Sequence, residues 1–265
     1  MIAKQHIECT AIPAFNDNYI WALTKGKEVY IVDPGCAEPV ISFLEARELK
    51  LLGILVTHSH NDHIGGIEAL LAHYGELPVF GPETPKIPQI SNRVAEADNI
   101  ELWDGISTEV IAVPGHLPEH LAYFVSEPIS GWLGLFSGDA LFSSGCGRIF
   151  DGEPKEFHHS LQKLAKLPDS TNVYCAHEYT LANLSFAKHI ECDNPAILEK
   201  EASCKAKRAS GNITLPSTLV NEKETNPFLR CHVPSVRARA GELTGMEFDS
   251  DADTFTALRK LKDNF

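Results

Sequence analysis

His58, His60, Asp62 and His63 fall within six consecutive positions, in the string "THSHNDH", and all four are side chains that bind divalent metals. Three more donors follow singly: His116 after "AVPG", Asp139 after "LFSG", and His177 after "VYCA". Seven donors exceed the needs of one tetrahedral zinc, but they suit two metals that share a bridging ligand. Local spacing suggests how they divide. His58 and His60 alternate across a short extended turn, so both imidazoles can reach one ion, joined by His116. Asp62 and His63 stand at the start of the next helix and face a second ion, which His177 completes. Asp139, with two carboxylate oxygens, is the natural bridge, and Asp62 and Asp139 are the catalytic carboxylates. Two divalent ions, less two carboxylates and one bridging hydroxide, leave a formal charge of about +1. The chemistry implied is metal-assisted hydrolysis, in which a bridging water with a pKa of about 7 attacks a carbonyl or phosphoryl centre. An open coordination position would stabilise the oxyanion that develops.

Donors so far apart in sequence need elements that end in one place. "EVYIVDPG", "LLGILVTH", "STEVIAVPGH", "GWLGLFSGD" and "NVYCAH" each carry an apolar, partly β-branched run that ends at a polar residue, the pattern of a strand. Four of these strands deliver donors at their C-terminal ends, where open α/β sheets place their ligands. Helical patterns follow several strands: "EPVISFLEARE", "HIGGIEALLAHYG" and "EPKEFHHSLQKLAKL". The expectation is an α/β fold of stacked layers. Beyond His177 the strand-like runs stop, and "EYTLANLSFAKHI", "NPAILEKEASCKAKRAS" and "DTFTALRKLKDNF" read as helices. The expected domains are therefore residues 1–177, binding metal, and residues 178–265, helical.

The bulk properties narrow the partners. At 265 residues, with 43% hydrophobic and 22% charged residues, the chain is that of a folded globular protein. A net charge of -13 argues against nucleic acid or an anionic membrane as partner. No apolar run approaches a membrane span, and the first residues lack the apolar core of a secretory signal. Seven scattered cysteines without a CxxC pair fit reduced thiols in the cytoplasm. His6, His73, His158, His159, His189 and His232 read as surface or core residues. Asp33, in "IVDPG", either orients a ligand histidine or opens a turn with Pro34-Gly35. "SSGCGR" has no nucleophile-elbow or phosphate-loop pattern and reads as a flexible loop, with Cys146 a packing residue. On physics alone "LRKLKDNF" is a solvated helix face.

"THSHNDH" with His116, Asp139 and His177 resembles the metallo-β-lactamase superfamily. "FNDNYIW", "IVDPG", "FSGDALFSSGCGRIF", "AHEYTLANLSFA", "TNPFLR" and "LRKLKDNF" sharpen the resemblance, in order, to the hydroxyacylglutathione hydrolases, the glyoxalase II family. It implies an αββα sandwich with a C-terminal α-helical domain, and two divalent ions, zinc foremost, with iron or manganese as alternatives. The implied substrate is S-(2-hydroxyacyl)glutathione, chiefly S-D-lactoylglutathione, cleaved by a metal-bridging hydroxide in the second step of methylglyoxal detoxification. Arg148, Tyr179, Arg259 and Lys262 would hold the glutathione moiety; the last two are three apart, hence on one helical face. A thiolate leaves with a conjugate-acid pKa of about 8.5, so the leaving group needs little proton donation. The expected enzyme is a cytoplasmic monomer that binds neither nucleic acid nor membrane. Two places depart from the family pattern: "GHLPEH" puts Leu117, Pro118 and Glu119 where G-H-T-x-G-H is common, and Phe150 stands where some members carry tyrosine. The alternative activity within the superfamily is a mononuclear iron oxygenase acting on glutathione persulfide. A β-lactam hydrolase is disfavoured by the missing secretion signal, and a closed structural metal site by the shortage of cysteine donors.

Overall fold

A computed structural model describes residues 6–265. Two compact units make up the chain. Residues through Ala112 join with Glu119–Gly138 in the first, and Val113–Pro118 join with Asp139–Phe265 in the second. The division by compactness therefore does not fall at residue 178.

The first unit runs β1 (Ile7–Ala14), β2 (Asn18–Lys25), β3 (Glu28–Val32), α1 (Glu38–Arg47), β4 (Lys50–Leu55), α2 (Asn61–Ile64), α3 (Ile67–Tyr74), β5 (Val79–Gly81), β6 (Asn92–Arg93), β7 (Asn99–Trp103), β8 (Ile106–Ala112), β9 (Leu121–Glu127) and β10 (Trp132–Gly138). One sheet has the order β1-β2-β3-β4-β5-β6. Its β1-β2-β3 part is antiparallel, and β3 through β6 pair in parallel. β4 lies between two parallel neighbours, which explains its near-continuous apolar run in place of an alternating one. Val29, Ile31, Ile54, Val56, Val79, Val40, Leu44, Ile67 and Leu70 form one buried core under this sheet. β7 to β10 form an antiparallel meander.

The helix expected over "HIGGIEALLAHYG" is broken into α2 and α3. Gly66 is the reason: a β-carbon there would lie 2.5 Å from the Cys36 carbonyl carbon and 2.7 Å from the Pro34 oxygen. The Gly66 amide donates to that same Pro34 carbonyl at 2.8 Å. Only glycine permits so close a backbone approach.

The second unit continues with β11 (Leu141–Phe142), β12 (Gly145–Cys146), α4 (Pro154–Leu164), β13 (Asn172–Cys175), α5 (Thr180–Ile190), α6 (Pro195–Ala209), β14 (Ser217–Thr218), α7 (Leu219–Thr225), α8 (Pro234–Thr244) and α9 (Asp251–Asp263). After His177 the one strand among the described residues is β14, two residues long and paired with β13. α4 buries Phe157, Ser160, Leu161 and Leu164, the stripe of a helix with one face against a core. It packs on α9, as α5 packs on α6. Ser250 caps α9, its hydroxyl accepting from the Asp253 amide at 3.1 Å.

Candidate metal centre

Within the first unit, the chain leaves β4 through Val56 and Thr57 into the histidine cluster. Asp33, at the end of β3, organises this stretch. Its carboxylate accepts from the Thr57 amide at 2.8 Å and the Thr57 hydroxyl at 2.6 Å, and lies 3.0 Å from His63 Nδ1. Because the Thr57 hydroxyl donates to Asp33, it is left as an acceptor for His58 Nδ1, 2.9 Å away. Both histidines thereby carry their proton on Nδ1, and Nε2 keeps the lone pair that a metal requires. Both sequence readings of Asp33 hold. It orients ligand-type histidines, and it also turns the chain, with φ of +53° and its own carbonyl accepting from the Gly35 amide.

His58 is fully buried, and its Nε2 faces His60 Nδ1 at 3.2 Å. His60 is extended (φ -68°, ψ 144°) and immediately precedes α2, so Asp62 and His63 open the helix as expected. Asp62 lies 3.6 Å from His63 Nε2 and accepts from the Asn18 side-chain amide at 2.9 Å. The unit thus brings together all four clustered donors. Asp33, His58 and His63 form one of three groups of side chains, among the described residues, that could hold a metal ion.

The second unit supplies the other three donors. Asp139 directly follows β10, and its two oxygens face different histidines: Oδ2 is 3.5 Å from His116 Nε2, and Oδ1 is 3.3 Å from His177 Nε2. His116 Nδ1 donates to the Arg148 carbonyl at 2.8 Å, which again leaves Nε2 for a metal. Gly115 sets this approach. Its φ is +150°, and a β-carbon there would sit 2.2 Å from the Phe157 ring. All three donors are buried, His116 at 3%, Asp139 at 8% and His177 at 5% exposure.

Of the residues expected to bind substrate, Tyr179 stacks on His177, with ring centroids 4.7 Å apart and planes 5° apart. Arg259 is buried and donates to the Cys146 carbonyl at 2.9 Å and the Gly147 carbonyl at 3.3 Å. Its other nitrogen pairs with Asp263 at 3.0 Å, and exposed Arg148 lies 3.9 Å from the same carboxylate. Lys262 donates to the Ala182 carbonyl at 3.2 Å. Burial, then Arg259, lowers its pKa from the ordinary lysine value. The "SSGCGR" loop is thus held by α9 and is not a free segment. Burial pushes the Cys146 thiol up to about 11, which fits a packing residue and not a nucleophile.

Sequence reasoning passed over His120, Asn18 and Ser59, and it noted Glu119 only as a departure from the family pattern. His120 is fully buried and stacks on His58, centroids 4.6 Å apart at 18°. Asn18 was visible inside "FNDNYIW", yet nothing marked it as the partner of Asp62. Ser59 and Glu119, 2.5 Å apart, join residues sixty positions distant.

The comparisons with known proteins now bear on this geometry. The model of the metallo-beta-lactamase superfamily matches residues 15–177, and the model of the hydroxyacylglutathione hydrolase C-terminus matches residues 178–265. A hydroxyacylglutathione hydrolase of Photobacterium profundum is 49% identical over 96% of this chain and 98% of its own length. The chain belongs to the hydroxyacylglutathione hydrolase family. Another member, from Shewanella halifaxensis, is 44% identical over 98% of this chain and all, 100%, of its own length. Hydroxyacylglutathione hydrolases share the metallo-β-lactamase fold with more distant structures. ETHE1 from Myxococcus xanthus matches with a TM-score of 0.65 and 20% identity, over 97% of this chain and 91% of that one. TTHA1623 in a di-iron-bound form gives 0.58 and 24%, over 84% of this chain and 100% of that one. In this family setting the α/β sheets are those of the metallo-β-lactamase fold, with a C-terminal helical region. No helix of the described residues is long and apolar enough to cross a membrane.

Proposed function

We propose that the protein hydrolyses S-(2-hydroxyacyl)glutathione, chiefly S-D-lactoylglutathione, to a 2-hydroxy acid and glutathione. The relatives' shared name supports the substrate class, over nearly the whole chain. The observation that carries the metal reading is Asp139, whose two oxygens each face a different histidine. A carboxylate so placed would be suited to hold metal through either oxygen. Within the second unit His116 and His177 flank Asp139, and within the first His58, His60, Asp62 and His63 stand together, donors that would suit divalent ions. The proton positions set by Asp33, Thr57 and the Arg148 carbonyl suit this donor set.

Divalent ions, when bound, would supply Lewis acidity for activating a water at about pH 7 and for offsetting charge on the thioester oxygen. The protein's own residues do the rest. Asp33 fixes His63 directly and His58 through Thr57, while Asn18 holds Asp62 in place. We assign zinc, although imidazole and carboxylate donors also suit iron and manganese. Arg148, Arg259 and Lys262 gather around Asp263 and offer a cationic patch for the glutathione carboxylates. Tyr179, against His177, would line the same site. No general acid is needed for a thiolate whose conjugate acid has a pKa of about 8.5. In functional terms residues 1–177 hold the metals, and residues 178–265 hold the substrate together with Arg148. The setting we infer is a cytoplasmic monomer in the second step of methylglyoxal detoxification.

The test is turnover of S-D-lactoylglutathione before metal stripping, after it, and after reconstitution. Activity should vanish and return. Activity indifferent to stripping overturns the reading, and oxygen consumption with glutathione persulfide would replace it by the dioxygenase.

A further inference from the structure

The loop "GHLPEH" reaches the metal-binding turn at two adjacent positions. His120 stacks on His58, centroids 4.6 Å apart, and Glu119 accepts the Ser59 hydroxyl at 2.5 Å. Ser59 stands between His58 and His60. His58 Nε2 and His60 Nδ1 face each other at 3.2 Å, while the Ser59 hydroxyl between them is turned to Glu119. A grip on Ser59 therefore fixes both flanking peptide planes while leaving the ring nitrogens free. We propose that Glu119 is a positioning residue, which sets the spacing of His58 and His60 for the first ion by pinning Ser59 between them. This rests on the metal reading above.

Three further observations support it. The Glu119 side chain is largely buried, at 13% exposure, and Lys86 lies 3.6 Å from the same carboxylate oxygen. Burial raises the Glu119 pKa, but the Ser59 hydroxyl and Lys86 together hold it below the ordinary carboxylate value. An ionised acceptor makes the short, strong kind of O–H···O bond found here. The opposite side of the turn is already fixed by Thr57 on His58, so Glu119 completes a clamp from two sides.

The test is metal retention by the full-length protein against rising chelator, in wild type, Glu119→Ala, Glu119→Gln, Ser59→Ala and the Ser59→Ala/Glu119→Ala pair. Glu119→Ala should release metal at about tenfold lower chelator, the scale of outer hydrogen-bond partners of metal ligands. Its kcat should fall with KM little changed. Glu119→Gln still accepts from Ser59 and should recover most of the retention, and the pair should be no worse than either single variant. The melting temperature of the metal-free protein should match wild type. Four results overturn the proposal: wild-type retention in Glu119→Ala, no recovery in Glu119→Gln, additive losses in the pair, or a metal-free melting temperature that falls in step. Retention is read without substrate, so wild type that holds metal yet leaves the thioester intact fails the functional reading alone. Wild type that holds no divalent metal overturns both.

Discussion

Asp33 shows how much of the site depends on hydrogen bonds that fix the histidines. One carboxylate receives the Thr57 amide, the Thr57 hydroxyl and the His63 imidazole. In Asp33→Asn the side-chain amide would turn a donor toward groups that are themselves donors. Metal retention should then weaken by about 10- to 100-fold in a chelator titration, with the fold intact by circular dichroism. Unchanged retention would remove Asp33 from the site. The cysteines give a second prediction at this scale. Cys192 is exposed, whereas burial lifts Cys146 to about 11, Cys175 to about 12, and Cys231 upward as well. A thiol reagent at neutral pH should label Cys192 in the native protein without loss of turnover, and mass mapping should find Cys146 and Cys175 unmodified.

Among the elements, α6 and α7 carry a buried ion pair that has no part in the chemistry. Glu222 is fully buried and accepts from Lys200 at 2.6 Å and the Ser144 amide at 2.6 Å, and from the Ser217 hydroxyl. Removing the cation leaves a carboxylate buried and uncompensated, so Lys200→Met should cost about 3 kcal/mol in a denaturant melt. Lys205→Met, which breaks only an exposed pair on α6, should stay within about 0.5 kcal/mol. Equal effects would contradict this account of Glu222. The strands that deliver donors were legible because each ends an apolar run at a histidine or aspartate. β9 was not, although "LAYFVSE" is mostly apolar, because it begins directly after the histidine-bearing loop and no turn residue marks its start. α8, in "PSVRARAGELT", buries only Val236 and Ala240, too weak a stripe to read. His120 escaped for a different reason. A single histidine gives no sign of stacking on another sixty-two positions earlier, because that contact belongs to the fold and not to any spacing.

For the molecule as a whole, a net charge of -13 sets a general repulsion against anionic ligands, which the proposed patch of Arg148, Arg259 and Lys262 would have to oppose locally. The seven donors are drawn from both compact units, four from the first and three from the second. Metal that binds only the folded chain must raise its stability, by about 4 kcal/mol when free metal exceeds Kd a thousandfold. Stripping should therefore lower the melting temperature, and reloading should restore it. A melting temperature blind to metal would mean that the donors are not joined by ions. The most direct measurement is metal content per chain, by elemental analysis, in wild type and in Asp139→Ala loaded in parallel. Two equivalents in wild type and fewer than two in the variant are predicted. A single equivalent in wild type, or two full equivalents in Asp139→Ala, would contradict the shared carboxylate on which the account rests.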